Sequence, residues 1–313
     1  MRVVNSVWGW VGFNVVVLGI LGLDLGVLHR KSEKVSLKEA AIWSGVWVAL
    51  SLCFAFAIYL AMGRESGLEF LTGYLIEYAL SVDNIFVFVL IFSYFSVPEK
   101  YQHRVLFWGI IGALLLRGVM IVAGSALVTR FAWTLYIFGA FLVFTGLRMA
   151  LQKDGAAYNP ARDPILRLAR KLVPVTPDYR GDKFFVHEAD ATGRKRYFAT
   201  PLFIVLVIVD TTDIIFATDS IPAIFAVTRD PFIVYTSNIC AVLGLRALYF
   251  LLANVVDKFV YLKLGLSVVL VFIGAKMLLE AFIHIPIVAA LGVVGVVLGT
   301  SIVASMKWPR PGH

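Results

Sequence analysis

Phe141-Leu-Val-Phe-Thr-Gly-Leu-Arg-Met-Ala-Leu151 returns later in the chain as Val269-Leu-Val-Phe-Ile-Gly-Ala-Lys-Met-Leu-Leu279. Six of eleven positions are identical at an offset of 128, and Arg148 is matched by a second cation, Lys276. Upstream, Leu114-Leu-Leu-Arg117 pairs with Leu243-Gly-Leu-Arg246 at an offset of 129. Further upstream, Glu77 with Asp83-Asn84 pairs with Asp213 and Asp219-Ser220 at an offset of 136. Apolar segments match easily by chance, so the charged positions carry the comparison. Each copy, 69–151 and 199–280, holds three apolar stretches. An odd number of membrane spans sends the second copy in from the opposite side, which makes this an inverted repeat.

Composition supports spans rather than a soluble core. Of the 313 residues, 60% are hydrophobic and 15% charged, against about 45–50% and 25% in soluble domains. Nine stretches approach the roughly 20 residues that a bilayer requires. They lie near 7–28, 40–62, 69–95, 105–128, 132–151, 199–227, 232–253, 259–280 and 283–306. The first is too long for a signal peptide and its basic cluster follows it, so a retained helix is expected. The expected fold is all-α: a polytopic bundle of about nine transmembrane helices with an inverted three-helix repeat. Its divisions are 1–68 (two helices), 69–151 (first repeat), 152–198 (loop), 199–280 (second repeat) and 281–313 (last helix and tail).

The net charge of +8 has a place in this scheme. With 152–198 inside, the inside segments hold Arg30, Lys31, Lys34, Lys38, Lys100, Arg104, Lys258, Lys263, Lys307 and Arg310, plus ten Lys/Arg in 152–198 itself. The outside segments hold Arg2, Arg64, Arg130 and Arg229. This positive-inside pattern predicts a multi-pass protein with its N-terminus outside and C-terminus in the cytoplasm. It also removes the motive for a nucleic-acid partner. In 152–198, a short amphipathic helix is expected from Asp163-Pro164 to Leu172, then a hairpin of Phe184–Val186 with Tyr197-Phe198 around Thr192-Gly193. This loop is the candidate surface for a protein partner. Oligomeric state is not set by sequence.

The acidic residues inside the apolar mass carry the chemistry. Glu77 and Asp83 fall in the third span, Asp210, Asp213 and Asp219 in the sixth, and Asp24 near the end of the first. An ionised Asp at a helix centre costs about 2.5–3.5 kcal/mol, so the set would cost on the order of 15 kcal/mol facing lipid. The acids must face one another, a cation, or the basic candidates Arg117, Arg246, Arg148 and Lys276. Pro222 cannot donate to the Thr218 carbonyl, so an interrupted sixth helix is expected. Glu77, Asp83, Asn84, Asp213, Asp219 and Ser220 would then form one mid-membrane metal site, with Asp24 and Asp210 as additional metal or proton sites and Arg117 and Arg246 as charge partners. Hard oxygen donors suit Mg²⁺, Ca²⁺ or Mn²⁺. The cation is substrate, and no tightly bound cofactor is expected. Cys53 and Cys240 read as separate buried thiols, and the five histidines form no cluster. There is no G-x-x-x-x-G-K-S/T and no H-E-x-x-H, so no enzymatic activity is expected.

The chain resembles the TerC/Alx family of bacterial integral membrane proteins over nearly its whole length. The resemblance rests on Leu23-Asp-Leu-Gly-Val-Leu-His-Arg30, Glu77-Tyr-Ala-Leu-Ser-Val-Asp-Asn84, Tyr94-Phe-Ser-Val-Pro98 and Tyr136-Ile-Phe-Gly-Ala-Phe141. It continues in Asp213-Ile-Ile-Phe-Ala-Thr-Asp-Ser-Ile-Pro-Ala223, Asp230-Pro-Phe-Ile-Val234, Thr236-Ser-Asn238 and Leu243-Gly-Leu-Arg-Ala-Leu-Tyr-Phe250. It implies a role in divalent metal homeostasis, with Mn²⁺ export leading for the Alx-like branch and tellurite resistance or metal supply to exported enzymes in others. The family's motif acids fall on Asp24, Glu77, Asp83, Asp213 and Asp219, while Asp210 stands where relatives often carry Glu. The expected function is a secondary transporter exporting a divalent cation by alternating access, with proton coupling suggested because protons compete for buried carboxylates. The alternative is a membrane partner protein in metal or tellurite resistance that transports nothing itself.

Overall fold

The computed structural model describes residues 7–23, 36–131, 133–151, 173–189, 195–253, 261–280, 282–283 and 285–307, apart from the side chains of Leu23, Asp83, Phe86, Ala189 and Lys195. Its helices are α1 (Val7–Leu23), α2 (Leu37–Met62), α3 (Arg64–Tyr94), α4 (Glu99–Arg130), α5 (Thr134–Leu151), α6 (Pro201–Phe225), α7 (Pro231–Leu243), α8 (Leu245–Leu252), α9 (Leu262–Leu279) and α10 (Ile287–Lys307). Strands β1 (Phe185–Ala189) and β2 (Lys195–Ala199) lie between α5 and α6. Among the described residues, eight helical segments are long and apolar enough to cross a membrane, with α7 and α8 together forming one of them, Pro231–Leu252. The protein is an all-α, multi-pass membrane protein. α1 has 17 residues and stops at Leu23, short of the 7–28 expected; 24–28 lie outside the described residues, as do the amphipathic helix expected at 163–172 and the turn at Thr192-Gly193.

These helices are apolar on nearly every face because both lipid and neighbouring helices are apolar. α2 and α10 leave Leu60, Phe56, Val296 and Met306 exposed, which is the lipid-facing surface. α7 and α8 form the interior span and are buried almost throughout. Serine and threonine side chains inside the helices satisfy themselves locally. Thr72, Ser81 and Thr212 each donate to the carbonyl four residues back, at 2.7–2.8 Å. Gly63, at φ +102°, supplies the backbone reversal between α2 and α3 that a side chain would resist.

Pro222 does not interrupt the sixth span. α6 runs unbroken to Phe225, and Pro222 sits in its last turn, where only one backbone bond is lost and every residue from Ser220 to Phe225 is buried. The next span, expected as one helix over 232–253, carries a one-residue irregularity at Gly244, between α7 and α8, where the backbone keeps right-handed helical angles (φ −74°, ψ −15°) and the Gly244 carbonyl still accepts from Leu248 N at 3.0 Å.

The repeat is visible in the packing of α5 against α9. A Cβ added at Gly274 would lie 2.6 Å from the Gly139 carbonyl oxygen, and one at Gly146 would lie 2.8 Å from the Ser267 carbonyl oxygen. The offset of 128 carries Gly139 onto Ser267 and Gly146 onto Gly274, so each contact is the other's image. Partners that advance along one helix while retreating along the other make the pair antiparallel. That is the arrangement an axis in the membrane plane requires.

α3 and α6 also run antiparallel. Ile85, Phe88 and Ile91 of α3 pack with Leu202, Val205 and Ile208 near the start of α6, while Thr228, just past α6, donates to Glu69 near the start of α3 at 2.9 Å. The end holding the hairpin is tied down by side chains. Tyr179 Oη donates to the Phe95 carbonyl at 2.7 Å, Arg104 pairs with Asp182, and Val175 packs on the cluster beneath. β1 and β2 pair antiparallel in the register Phe185–Ala199.

Candidate functional site

Four helices bring four polar side chains together in the apolar interior: Glu77 of α3, Arg117 of α4, Asp213 of α6 and Asn238 of α7. None is more than 2% exposed. Arg117 Nε and Nη2 donate to the two oxygens of Asp213 at 2.8 Å each, a bidentate fork. Arg117 Nη1 donates to Glu77 Oε1 and, at 3.1 Å, to Asn238 Oδ1. Asn238 Nδ2 closes the ring by donating to Glu77 Oε2 at 2.9 Å. Two carboxylates and one guanidinium leave a net charge of −1, with one acid from each repeat. The pairing of Arg117 with the acids was legible in the sequence. Asn238 was not singled out, although an amide in the middle of an apolar span was a signal for it.

The remaining candidates do not join this ring. Asn84 lies seven residues beyond Glu77, and Ser220 seven beyond Asp213. Seven residues are about two helical turns, a rise of roughly 10 Å on nearly the same face. Because α3 and α6 are antiparallel, the two steps lead in opposite directions: Asn84 toward the hairpin end, Ser220 toward the other. The single site expected from all six residues is therefore replaced by a central ring and two flanking positions. Helical rise separates what sequence matching had grouped. Both flanking residues are 2% exposed, and neither Asn84 Oδ1 nor Ser220 Oγ has a hydrogen-bond partner. Such orphaned buried oxygens are rare and call for an explanation. Beside Ser220, Asp219 is half-buried and accepts from Thr145 Oγ1 at 3.4 Å. The Asp83 side chain beside Asn84, and the whole of Asp24, lie outside what is described. Among the described residues, no three His, Cys, Asp or Glu side chains are grouped to hold a metal ion.

Asp210 sits apart, against α4. A Cβ at Gly112 would come within 2.6 Å of Asp210 Oδ2, so Gly112 lets this carboxylate rest against α4, and its Oδ1 is buried without a partner. Arg246, the repeat mate of Arg117, lies with Asp213, Gly109, Ala113 and Val242 on the wall of a small cavity on the hairpin side of the ring. At the opposite end, a cavity of about 300 Å³ is lined by Glu65, Glu69, Thr228, Lys276 and Glu280. Cys240 is buried, whereas Cys53, expected to be buried, is exposed on α2.

A model of the integral membrane protein TerC family matches residues 62–311. A membrane protein of Myxococcus xanthus described as uncharacterized is 54% identical over 297 residues, covering 95% of this chain and 91% of that one. A protein of Escherichia coli K12 described as "Putative membrane-bound redox modulator Alx" is 50% identical over 313 residues, covering 97% and 96%. An uncharacterized membrane protein of Rickettsia bellii is 44% identical over 297 residues, covering 95% and 96%. No solved structure matches the chain.

Proposed function

Because the chain belongs to the TerC family of integral membrane proteins, we propose that it is a secondary transporter that moves a divalent cation along the seam between α3 and α6, with Mn²⁺ as first candidate. The observation that carries this reading is the pair of buried, unpartnered oxygens, Asn84 Oδ1 and Ser220 Oγ, at matched positions on either side of the acidic ring. Each follows an aspartate in the sequence, Asp83 and Asp219, so each flank joins a neutral oxygen to an acidic residue type. All these donors are hard, which suits Mn²⁺, Mg²⁺ or Ca²⁺ and disfavours thiophilic metals. The resemblance to the Alx-like branch favours Mn²⁺ and export among these. At the centre, Arg117 holds Glu77 and Asp213 together. A divalent cation that uses these acids takes the place of the guanidinium, and the ring closes again behind it.

On this reading the hairpin end faces the cytoplasm of a bacterial inner membrane, as the basic loops suggest. The chain needs no resident cofactor and performs no covalent chemistry. Proton coupling enters through the carboxylates, and Asp210 is a further stop for a proton or cation. The hairpin loop remains the candidate surface for a protein partner. The full-length protein in liposomes, assayed with a Mn²⁺-sensitive dye, tests the reading. Flux is expected in the wild type and is expected to collapse in Asp83→Asn, Asp219→Asn and Ser220→Ala variants that still elute as folded protein. Wild-type rates in all three would remove the flanking positions from the pathway.

A further inference from the structure

Two pairs of helices each obey the repeat symmetry, but not about a common axis. Within α3–α6, a Cβ added at Gly73 would lie 3.3 Å from Ile224 Cγ2. The offset of 136 carries this contact onto Val209 and Phe88, which line one small cavity together. Within α5–α9, the contacts of Gly139 on Gly274 and Gly146 on Ser267 are images of each other in the same way. Between the two pairs the symmetry fails. Phe138 of α5 stacks on Phe225 of α6 with ring centroids 6.5 Å apart, and Thr145 donates to Asp219. The images of these contacts are Leu266 with Val89 and Ile273 with Asp83. Leu266 adjoins Ser267 and so lies near the level of Gly146, Thr145 and Asp219, whereas Val89 adjoins Phe88 at the level of Val209. Helical rise along α6 then sets Leu266 and Val89 roughly 10–13 Å apart along the membrane normal. The basic residues agree. Lys276 donates to the Ala226 carbonyl at 3.3 Å, at the end opposite the hairpin. Its mate Arg148, one turn beyond Thr145, falls short of Leu90, the image of Ala226, by a similar distance. The α5–α9 pair thus sits off the centre of α3–α6, displaced away from the hairpin.

We infer that α5 and α9 form one sliding unit, and that its movement by about 10 Å toward the hairpin, two helical turns, produces the second access state. The inference rests on the transporter reading for its purpose but on repeat geometry for its substance. An inverted repeat reaches its second state when each half adopts the conformation the other had. Backbone contacts at Gly139, Gly146 and Gly274 that admit no side chain make α5 and α9 travel together. Helix ends show the same displacement independently. α4 runs on to Arg130 and meets α5 through 131–133, whereas α8 ends at Leu252, the image of Ala123, and reaches α9 through 253–261. A unit displaced away from the hairpin needs a longer α4 to meet it at one end and a longer connection to follow it from the other. Two ties hold the described position: Lys276 on the Ala226 carbonyl, and Arg229 Nη2 with Glu280 Oε1 at 3.7 Å. In the second state Thr145 leaves Asp219, and Ile273 comes level with Asp83. Thr145 brings a hydroxyl to its flank and Ile273 brings none, so Thr145 is a positioning residue for Asp219 alone.

The test uses the full chain with Cys53→Ser and Cys240→Ala, reconstituted in liposomes and given one cysteine pair at a time. The linker is a bis-methanethiosulfonate with a reach of about one helical turn, 5 Å. Phe138→Cys with Phe225→Cys reports the described state. Val89→Cys with Leu266→Cys, and Leu90→Cys with Arg148→Cys, report the second state and are out of reach in the first. All three pairs are expected to link. Lys276→Met should speed the two second-state links roughly two- to tenfold, the worth of one hydrogen bond. In a four-cysteine chain, a prior 138–225 link should abolish the 89–266 link. Absence of both second-state links in the Lys276→Met background, or 138–225 and 89–266 links in one chain together, would overturn the slide. So would equally fast linking of Val89→Cys with Phe138→Cys, which meet in neither state. If Leu266→Cys does not fold, the 90–148 pair decides alone, since Leu90 is half-buried and Arg148 exposed. Linking does not require flux. Second-state links in a protein that carries no Mn²⁺ would retire the transporter reading and keep the slide, whereas flux without those links would do the reverse.

Discussion

Removing the positive charge of the central ring tests whether that ring is held by charge or merely filled by a large side chain. Arg117 satisfies two carboxylates and one amide with four hydrogen bonds, three of them at 2.8–3.1 Å. Arg117→Met keeps most of the volume but leaves Glu77 and Asp213 facing each other, and the ring goes from −1 to −2. Breaking one buried pair costs about 3–5 kcal/mol, most of it from the charge left behind. With two acids stranded, the loss should reach at least the upper end of that range. Adding Glu77→Gln and Asp213→Asn removes the stranded charges, so the triple variant should recover most of the loss, because uncharged groups in place of a buried ion network are often nearly neutral. Unfolding by SDS in mixed micelles, followed by tryptophan fluorescence, measures both. A loss below about 1 kcal/mol for Arg117→Met, or a triple variant no more stable than the single one, would show that the ring is not electrostatically held.

Gly274→Ala should destabilise by about 1–3 kcal/mol, because its Cβ meets the Gly139 carbonyl at 2.6 Å and backbone cannot step aside as a flexible side chain can. Gly295→Ala on α10, with nothing within 4 Å, should be neutral or stabilising by about 0.5–1 kcal/mol in the same unfolding assay. Burial pushes the Tyr179 hydroxyl up to about 12 while it donates to Phe95. The neutral form is favoured in the docked segment, so docking should hold below the ordinary tyrosine value near 10 and weaken as pH rises toward 12. Limited proteolysis of the 173–200 segment across that range should show cleavage rising with pH, and Tyr179→Phe should lose the dependence.

Much of this architecture can be read in the sequence because a membrane span is a composition as much as a fold. The apolar runs mark the helices, and the matched acids and arginines mark the repeat. What the sequence conceals is distance along the membrane normal. Asn84 and Ser220 match in the repeat, so they look like neighbours; antiparallel α3 and α6 send them to opposite sides of the ring. Nor does it tell Arg117 from Arg246: Arg117 is hydrogen-bonded to Asn238, a contact made only in three dimensions, and the repeat mate of Asn238 is Gly109, which has no side chain to offer. Pro222 suggested a broken helix, but its place in a last turn packed on all sides absorbs the missing bond. The one irregularity within the neighbouring span falls at Gly244, a residue type that favours helix ends, yet its backbone keeps right-handed helical angles.

The paired contacts of α5 and α9 also bear on ancestry. A single three-helix unit that paired antiparallel with its own copy about a two-fold axis would have made the contact twice, with the same residues both times. It would also have needed both orientations in one membrane, and hence no strong bias in its basic loops. Joined in one chain, the copies are released from both demands. One contact now sets Gly139 on Gly274 and the other sets Ser267 on Gly146. Ten of the 28 basic residues have gathered in the one segment that joins the two repeats. Fusion lets the halves become unequal, and an unequal pair of halves can favour one of two otherwise equivalent conformations.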